Sequence, residues 1–138
     1  MTYILDTNAV SALMKGDEAF LNRFPSCAPA DIAIPQPVIA ELAYGIERLP
    51  RSRRRSTLRA RFDLICSEVP RSEWTDDVSH AYGRIKAALE RRGARIEDFD
   101  AAIAAHALAA RATLVTANIE HMSRVAGLHL EDWSHSDR

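Results

Sequence analysis

The 138-residue chain contains two cysteines, Cys27 and Cys66, in neither a CxxC pair nor a Cys/His metal-ligand spacing. Neither a disulfide framework nor a zinc site is therefore expected to hold the fold, and two isolated thiols fit a reducing compartment. No apolar run approaches the length needed to span a bilayer. The opening residues, Met1-Thr2-Tyr3-Ile4-Leu5-Asp6, lack the basic start and apolar core of a signal peptide, so a cytoplasmic protein is expected. Internal repeats and low-complexity stretches are also missing. A strong excess of positive charge is missing too: 18 basic against 19 acidic residues leave a net charge of −1, which argues against a protein that coats nucleic acid generically.

What is present suits one domain, residues 1–133, with a frayed tail at 134–138. Tyr3-Ile4-Leu5 reads as a strand, and Thr7 or Asn8 is expected to cap a helix running through Val10, Leu13 and Met14 to Gly16. A short helix over Ala19–Phe24 follows, with Pro25, Pro29 and Ala30 in the connection. Ile32-Ala33-Ile34 is a second strand stopped by Pro35. Pro37 then opens a helix that places Val38, Leu42, Ile46 and Leu49 on one face. A helix from Ser52 to Ile65 turns Leu58, Phe62 and Ile65 inward and its arginines outward, and Ile65–Val69 reads as a short strand before Pro70. The clearest periodicity, Trp74, Val78, Tyr82, Ile85 and Leu89, predicts a helix over Ser72–Arg92, closed by Gly93. An alanine-rich helix opens near Asp98. Leu114-Val115-Thr116 is a strand, Asn118–Val125 a short helix, and Leu128-His129-Leu130 the last strand. Strands alternating with helices indicate a three-layer α/β/α domain around a parallel sheet of four to five strands, with its ligand site at the strands' carboxyl ends.

That alternation gives three distant acids a common destination. Asp6 ends the first strand; Glu41 lies one turn into the helix after the second; Asp100 lies in the first turn of the alanine-rich helix. Carboxylates gathered in one cleft resist ionising together, and a hard divalent cation, Mg²⁺ or Mn²⁺, relieves that conflict. Each acid also has a plainer reading: Asp6 as a helix cap, Glu41 as the partner of Arg48 or another arginine, Asp100 as a complement to the helix dipole. Arginines cluster twice, at Arg51, Arg53, Arg54, Arg55, Arg59 and Arg61, and at Arg84, Lys86, Arg91, Arg92 and Arg95. Either group could follow a phosphate backbone or simply form the solvated face of a helix.

Four segments in order, Ile-Leu-Asp-Thr-Asn, Ile-Ala-Glu-Leu, Asp-Phe-Asp-Ala-Ala-Ile-Ala-Ala-His-Ala-Leu and Leu-Val-Thr-Ala-Asn, resemble the PIN-domain ribonucleases. More narrowly the chain is similar to the VapC-type toxins of bacterial toxin–antitoxin pairs, including the FitB-like subgroup. Nearly the whole chain is covered, ending with Gly127-Leu128-His129-Leu130-Glu131-Asp132-Trp133. The resemblance implies a metal-dependent endoribonuclease with Asp6, Glu41 and Asp100 as its acidic site, Asp6 and Asp100 most directly at Mg²⁺. It places Thr7 and Asn8 in support of the first acid, and Thr116 and Asn118 beside the same cleft. It also implies an RNA substrate, a homodimer, and an antitoxin partner with which a heterotetramer or larger assembly forms. Many members carry a further acid three residues after the equivalent of Asn118, where this chain has His121. Mg²⁺ seldom chooses a neutral imidazole; Mn²⁺ tolerates one better. His121 is left with three other roles, a phosphate contact, a proton donor or, ranked first, a cover for the pocket. Asp98 is left with two, a water-mediated charge or a helix cap. Arg53, Arg54 and Arg55 are candidates for gripping RNA or the partner protein.

Two other function classes compete. A PIN-like module that binds RNA or protein without cutting it is favoured by His121 and opposed by the retained acids. A phosphoaspartate protein would use a strand-end aspartate as phosphoacceptor, but a phosphatase of that type wants an acid where Asn8 stands, and a receiver wants an acid pair and a lysine that are not seen.

Overall fold

The computed structural model describes residues 2–23 and 29–134. Five strands, β1 (Tyr3–Leu5), β2 (Ile32–Pro35), β3 (Arg71–Ser72), β4 (Thr113–Val115) and β5 (His129–Glu131), form one parallel sheet in the order β3-β2-β1-β4-β5. Among the described residues, seven α-helices connect them: α1 (Thr7–Met14), α2 (Glu18–Arg23), α3 (Gln36–Glu47), α4 (Arg53–Glu68), α5 (Asp76–Arg91), α6 (Asp98–Ala110) and α7 (Ile119–Met122). The chain winds outward from β1 to β3, then returns through α5 and α6 to β4 on the other side of β1. Helices join successive parallel strands and flank the sheet, giving the expected three layers; such crossovers are right-handed as a rule. The reversal falls between β1 and β4, where Leu5 pairs with Val115 and the strands end at Asp6 and Thr116.

Apolar burial explains this arrangement. Ile4, Leu5, Ile32, Ile34, Leu114 and Val115 are fully buried, as strands of a parallel sheet covered on both faces must be. Helix α6 buries every residue from Ala101 to Ala107. Its alanines admit α5 on one side and strands β1 and β4 on another. Helix α4 is the opposite case: Phe62 is buried, Leu58 and Ile65 are half-buried, and the arginines face outward, as their spacing predicts.

Several boundaries depart from the sequence expectations. Helix α4 continues to Glu68, so Ile65–Val69 contains no strand; its helical hydrogen bonds persist until Pro70, and the third strand forms beyond that proline. Arg71 and Ser72 belong to this strand, and α5 starts only at Asp76, capped by Thr75, whose hydroxyl accepts from the Val78 amide at 3.3 Å. Trp74 therefore lies before the helix rather than on its inner face and stays half exposed. Pro35 is itself the last residue of β2, paired with Ser72, and its neighbour Gln36 begins α3 at once. Helix α3 stops at Glu47, short of Leu49, and β4 stops at Val115, leaving Thr116 just past the ladder. Of the expected Asn118–Val125 helix only Ile119–Met122 is regular. Phe24, Pro25 and Cys27 of the first connection, and the expected frayed tail apart from Ser134, lie outside the described residues.

Candidate active site

Asp6 sits where β1 gives way to α1, and it is 4% exposed. Its Oδ1 accepts a hydrogen bond from the Ala9 amide at 2.8 Å, so Asp6 itself caps α1. Neither Thr7 nor Asn8 takes that role. The helix begins directly at Thr7 because the extended backbone of Asp6 already meets the geometry of a cap. Thr7 turns instead to α3, where its Oγ1 donates to Oε1 of Glu41 at 2.5 Å. This contact ties the first turn of α1 to the second turn of α3. Glu41 thus bonds a hydroxyl from α1, while the guanidinium of Arg48 lies over the Tyr44 ring.

Thr116 closes the site from the other side of the switch point. Its hydroxyl hydrogen-bonds Asp6, and its Oγ1 accepts from the Asn118 amide at 2.9 Å. Asn118 precedes α7 and pairs its Oδ1 with Nδ1 of His121 at 2.9 Å.

Asp100, half-buried in the first turn of α6, lines a cleft of about 310 Å³ together with Arg95, Ile96, Glu97, Asp98 and His121. Asp98 is the first helical residue and bonds to Lys86 of α5 at 3.1 Å; Glu97, without a side-chain cap bond, occupies the cap position. Asp98 is thus neutralised from outside the cleft rather than acting as a cap.

The three acids are brought together electrostatically. Burial pushes the Asp6 carboxyl up to about 6, and the charges of Asp100 and Glu41 push the same way, against the hydrogen bonds from Thr116 and Ala9. Asp100 is also raised, by burial first and then by Glu41, while His121 opposes the shift. A set of hard oxygen donors that hinder one another's ionisation fits a hard divalent cation. Among the described residues, no three His, Cys, Asp or Glu side chains are gathered closely enough to enclose an ion. A cation here would therefore complete its shell with water and substrate oxygens, which is how Mg²⁺ is commonly held.

A family model described as "PIN domain" matches residues 3–128. The chain belongs to the PIN-domain family. This PIN domain is 35% identical over 135 residues to "Ribonuclease VapC2" of Rickettsia felis, with 96% of this chain and 98% of that protein covered. It is 28% identical over 134 residues to "tRNA(fMet)-specific endonuclease VapC" of Shigella flexneri, with 97% and 99% covered. Among solved structures, the PIN domain matches a chain of VapBC2 from Rickettsia felis bound to a DNA fragment from their promoter. The TM-score is 0.85 at 32% identity, with 96% of this chain and 99% of that one covered.

Not every candidate residue converges on the PIN-domain cleft. Arg53, Arg54 and Arg55 lie on the first turn of α4; Arg55 pairs with Glu47, and Arg53 and Arg54 border a groove with Lys15 and Arg61. That groove lies at the far end of α1 from Asp6, about 12 Å along the helix. Arg95, by contrast, was visible only as one more basic residue of the second cluster. Its signal was position: a loop residue between Gly93 and Asp98 reaches the same end of α6 as Asp100. Nor does the α6 pattern reveal that His106, fully buried, bonds Ser72 through Nδ1 at 2.9 Å and packs edge-on against Trp74. Burial pushes that imidazole down to about 4, so it is neutral at pH 7.

Proposed function

We propose that this chain is a divalent-metal-dependent endoribonuclease, the toxin of a toxin–antitoxin pair, and that Asp6, Glu41 and Asp100 carry its chemistry. The observation that supports this most is the topological switch point itself. There, Asp6 and Thr116 end adjacent strands, and the charges of Glu41 and Asp100 bear on Asp6. VapC ribonucleases match along almost the whole chain, and VapBC complexes match its fold, which supports the activity and an antitoxin partner.

Asp6 and Asp100 would hold the cation, Mg²⁺ or alternatively Mn²⁺. When bound, the cation activates a water for attack on phosphorus and offsets charge on the phosphate oxygens. Glu41 orients that water and accepts its proton, and the Thr7 hydroxyl fixes which way the Glu41 carboxylate points. Thr116 fixes Asp6 in the same manner. Asn118 holds the His121 ring in the wall of the cleft that Asp100 also lines, and Asn8 stands in the first turn of α1 beside the capping Asp6. Water adds to phosphorus as the phosphorus–oxygen bond of the RNA backbone breaks, and the departing oxygen leaves with a proton.

The direct test incubates antitoxin-free protein with total small RNA in Mg²⁺, Mn²⁺ or EDTA, beside Asp6→Asn, and maps the fragment ends. Discrete cuts that require both metal and Asp6 are expected. Metal binding without cleavage of any RNA would replace this reading with a non-catalytic RNA- or protein-binding module.

A further inference from the structure

The acidic cleft has an electrostatic problem as an RNA-binding site. Three carboxylates repel a phosphate backbone, and a net charge of −1 supplies no general attraction to offset them. Binding energy has to come from a local cationic surface within reach of the cleft.

One surface meets both conditions. Between α5 and the segment that follows α7 lies a groove of about 210 Å³, floored by Ile85, Leu89 and Val125 and rimmed by Arg84, Arg92 and Arg124. Among the described residues no carboxylate lines it. The groove also joins the cleft through backbone contacts: Arg92 Nη2 donates to the Arg124 carbonyl at 2.8 Å, and Arg124 Nη1 donates to the Arg95 carbonyl at 3.0 Å. Arg95 is itself a wall of the acidic cleft. Each bond occupies one of the five N–H donors of a guanidinium, leaving others for phosphate oxygens. An apolar floor between guanidinium planes also suits the face of an unstacked base.

The arginines of α4 do not make an equivalent track. The groove beside Arg51, Arg55 and Arg59 includes Glu47 and Asp63, which pair with Arg55 and Arg59. Among the described residues no carboxylate lines the groove formed by Lys15, Arg53, Arg54 and Arg61, but that groove lies at the far end of α1 from Asp6.

We infer that the α5 groove binds the single-stranded RNA segment flanking the scissile phosphate, its arginines reading the backbone and its apolar floor seating a base. The inference rests on the endoribonuclease reading above. Arg84 is the cleanest probe, since among the described residues it braces no backbone carbonyl, whereas Arg92 and Arg124 do.

The test uses an RNA that the wild-type protein cuts, labelled for fluorescence anisotropy, with binding measured in EDTA against increasing salt in the Asp6→Asn background. Arg84→Ser is expected to weaken binding several-fold and to reduce the salt slope by about 0.7 for one lost contact to a single strand. In the otherwise wild-type protein, Arg84→Ser and Arg84→Glu should raise KM and leave kcat in place. Arg53→Ser/Arg54→Ser serves as the control and should leave both readouts unchanged. Unaltered KM and salt slope in both Arg84 variants, while cleavage still depends on metal and Asp6, would overturn the inference and leave the function standing. Loss of antitoxin capture with unaltered RNA binding would also overturn it, assigning the groove to a protein. A wild-type protein that cuts no RNA in any metal would remove the function and this inference together.

Discussion

The cleft at the strand ends and the outer face of α4 hold charges of opposite sign, and they differ in how those charges are treated. Asp6 is enclosed by Ala9 and Thr116, and burial changes its ionisation. On α4, Arg55 and Arg59 meet Glu47 and Asp63 in partly exposed pairs that water and salt screen. Charge density alone therefore says little about chemistry. Removal from water, with partners that fix orientation, is what distinguishes a reactive group from a solubilising one.

Substitution inside the cleft should have the largest effect. Asp6→Asn or Asp100→Asn is expected to cut cleavage by more than about 10²-fold while the fold persists, since even groups that only orient metal ligands cost roughly 10- to 100-fold when lost. Full activity in either purified variant would erase the contrast between the regions. Thr7→Val removes the hydroxyl that orients Glu41 and should sit within that 10- to 100-fold range. Rates near wild type would mean that Glu41 needs no orienting partner.

The pH dependence of stability offers a second comparison. The folded pKa of Asp6, about 6, lies above its ordinary value of 3.8, so the metal-free folded protein retains a proton that the unfolded chain releases. This contribution is complete below about pH 4 and is lost as pH rises through about 6, a change on the order of 2–3 kcal/mol. Denaturant unfolding in EDTA should show stability falling across that window, with the fall reduced in Asp6→Asn. Added Mg²⁺ or Mn²⁺ should restore stability at pH 7, because it favours the ionised carboxylates.

On α4 the effects should be small unless the buried side is touched. Phe62→Ala is expected to cost about 3–5 kcal/mol, while Leu64→Ala, on the exposed side of the same helix, should stay within about 0.5 kcal/mol. Arg55→Ser breaks a partly exposed pair and should cost less than about 1 kcal/mol. A larger loss would show that α4 charges are structural after all.

Much of this molecule was legible before its fold. Apolar strands, amphipathic helices and the three acids follow from local patterns, and those patterns survived because side-chain periodicity governs which face is buried. Errors concentrated where two local rules competed. Ile65–Val69 had the composition of a strand, yet α4 simply continued, since an unbroken helix satisfies backbone hydrogen bonds until a proline interrupts it. The cap of α1 went to Asp6 rather than to Thr7 or Asn8 because the backbone leaves the strand one residue earlier than the hydroxyl and amide side chains suggested.

By itself, the sequence determined the alternation of strands and helices, the inner faces of the helices, and the positions of Asp6 at a strand end, Glu41 one turn into a helix and Asp100 in a helix's first turn. Those features depend on spacing along the chain. Tertiary structure alone decided that β4 lies beside β1, that Thr7 serves Glu41 and Thr116 serves Asp6, and that Arg95, Arg124 and Arg92 link the cleft to a second groove. These are contacts between residues far apart in the chain, and their geometry is set by how the sheet is ordered and how closely the helices pack upon it.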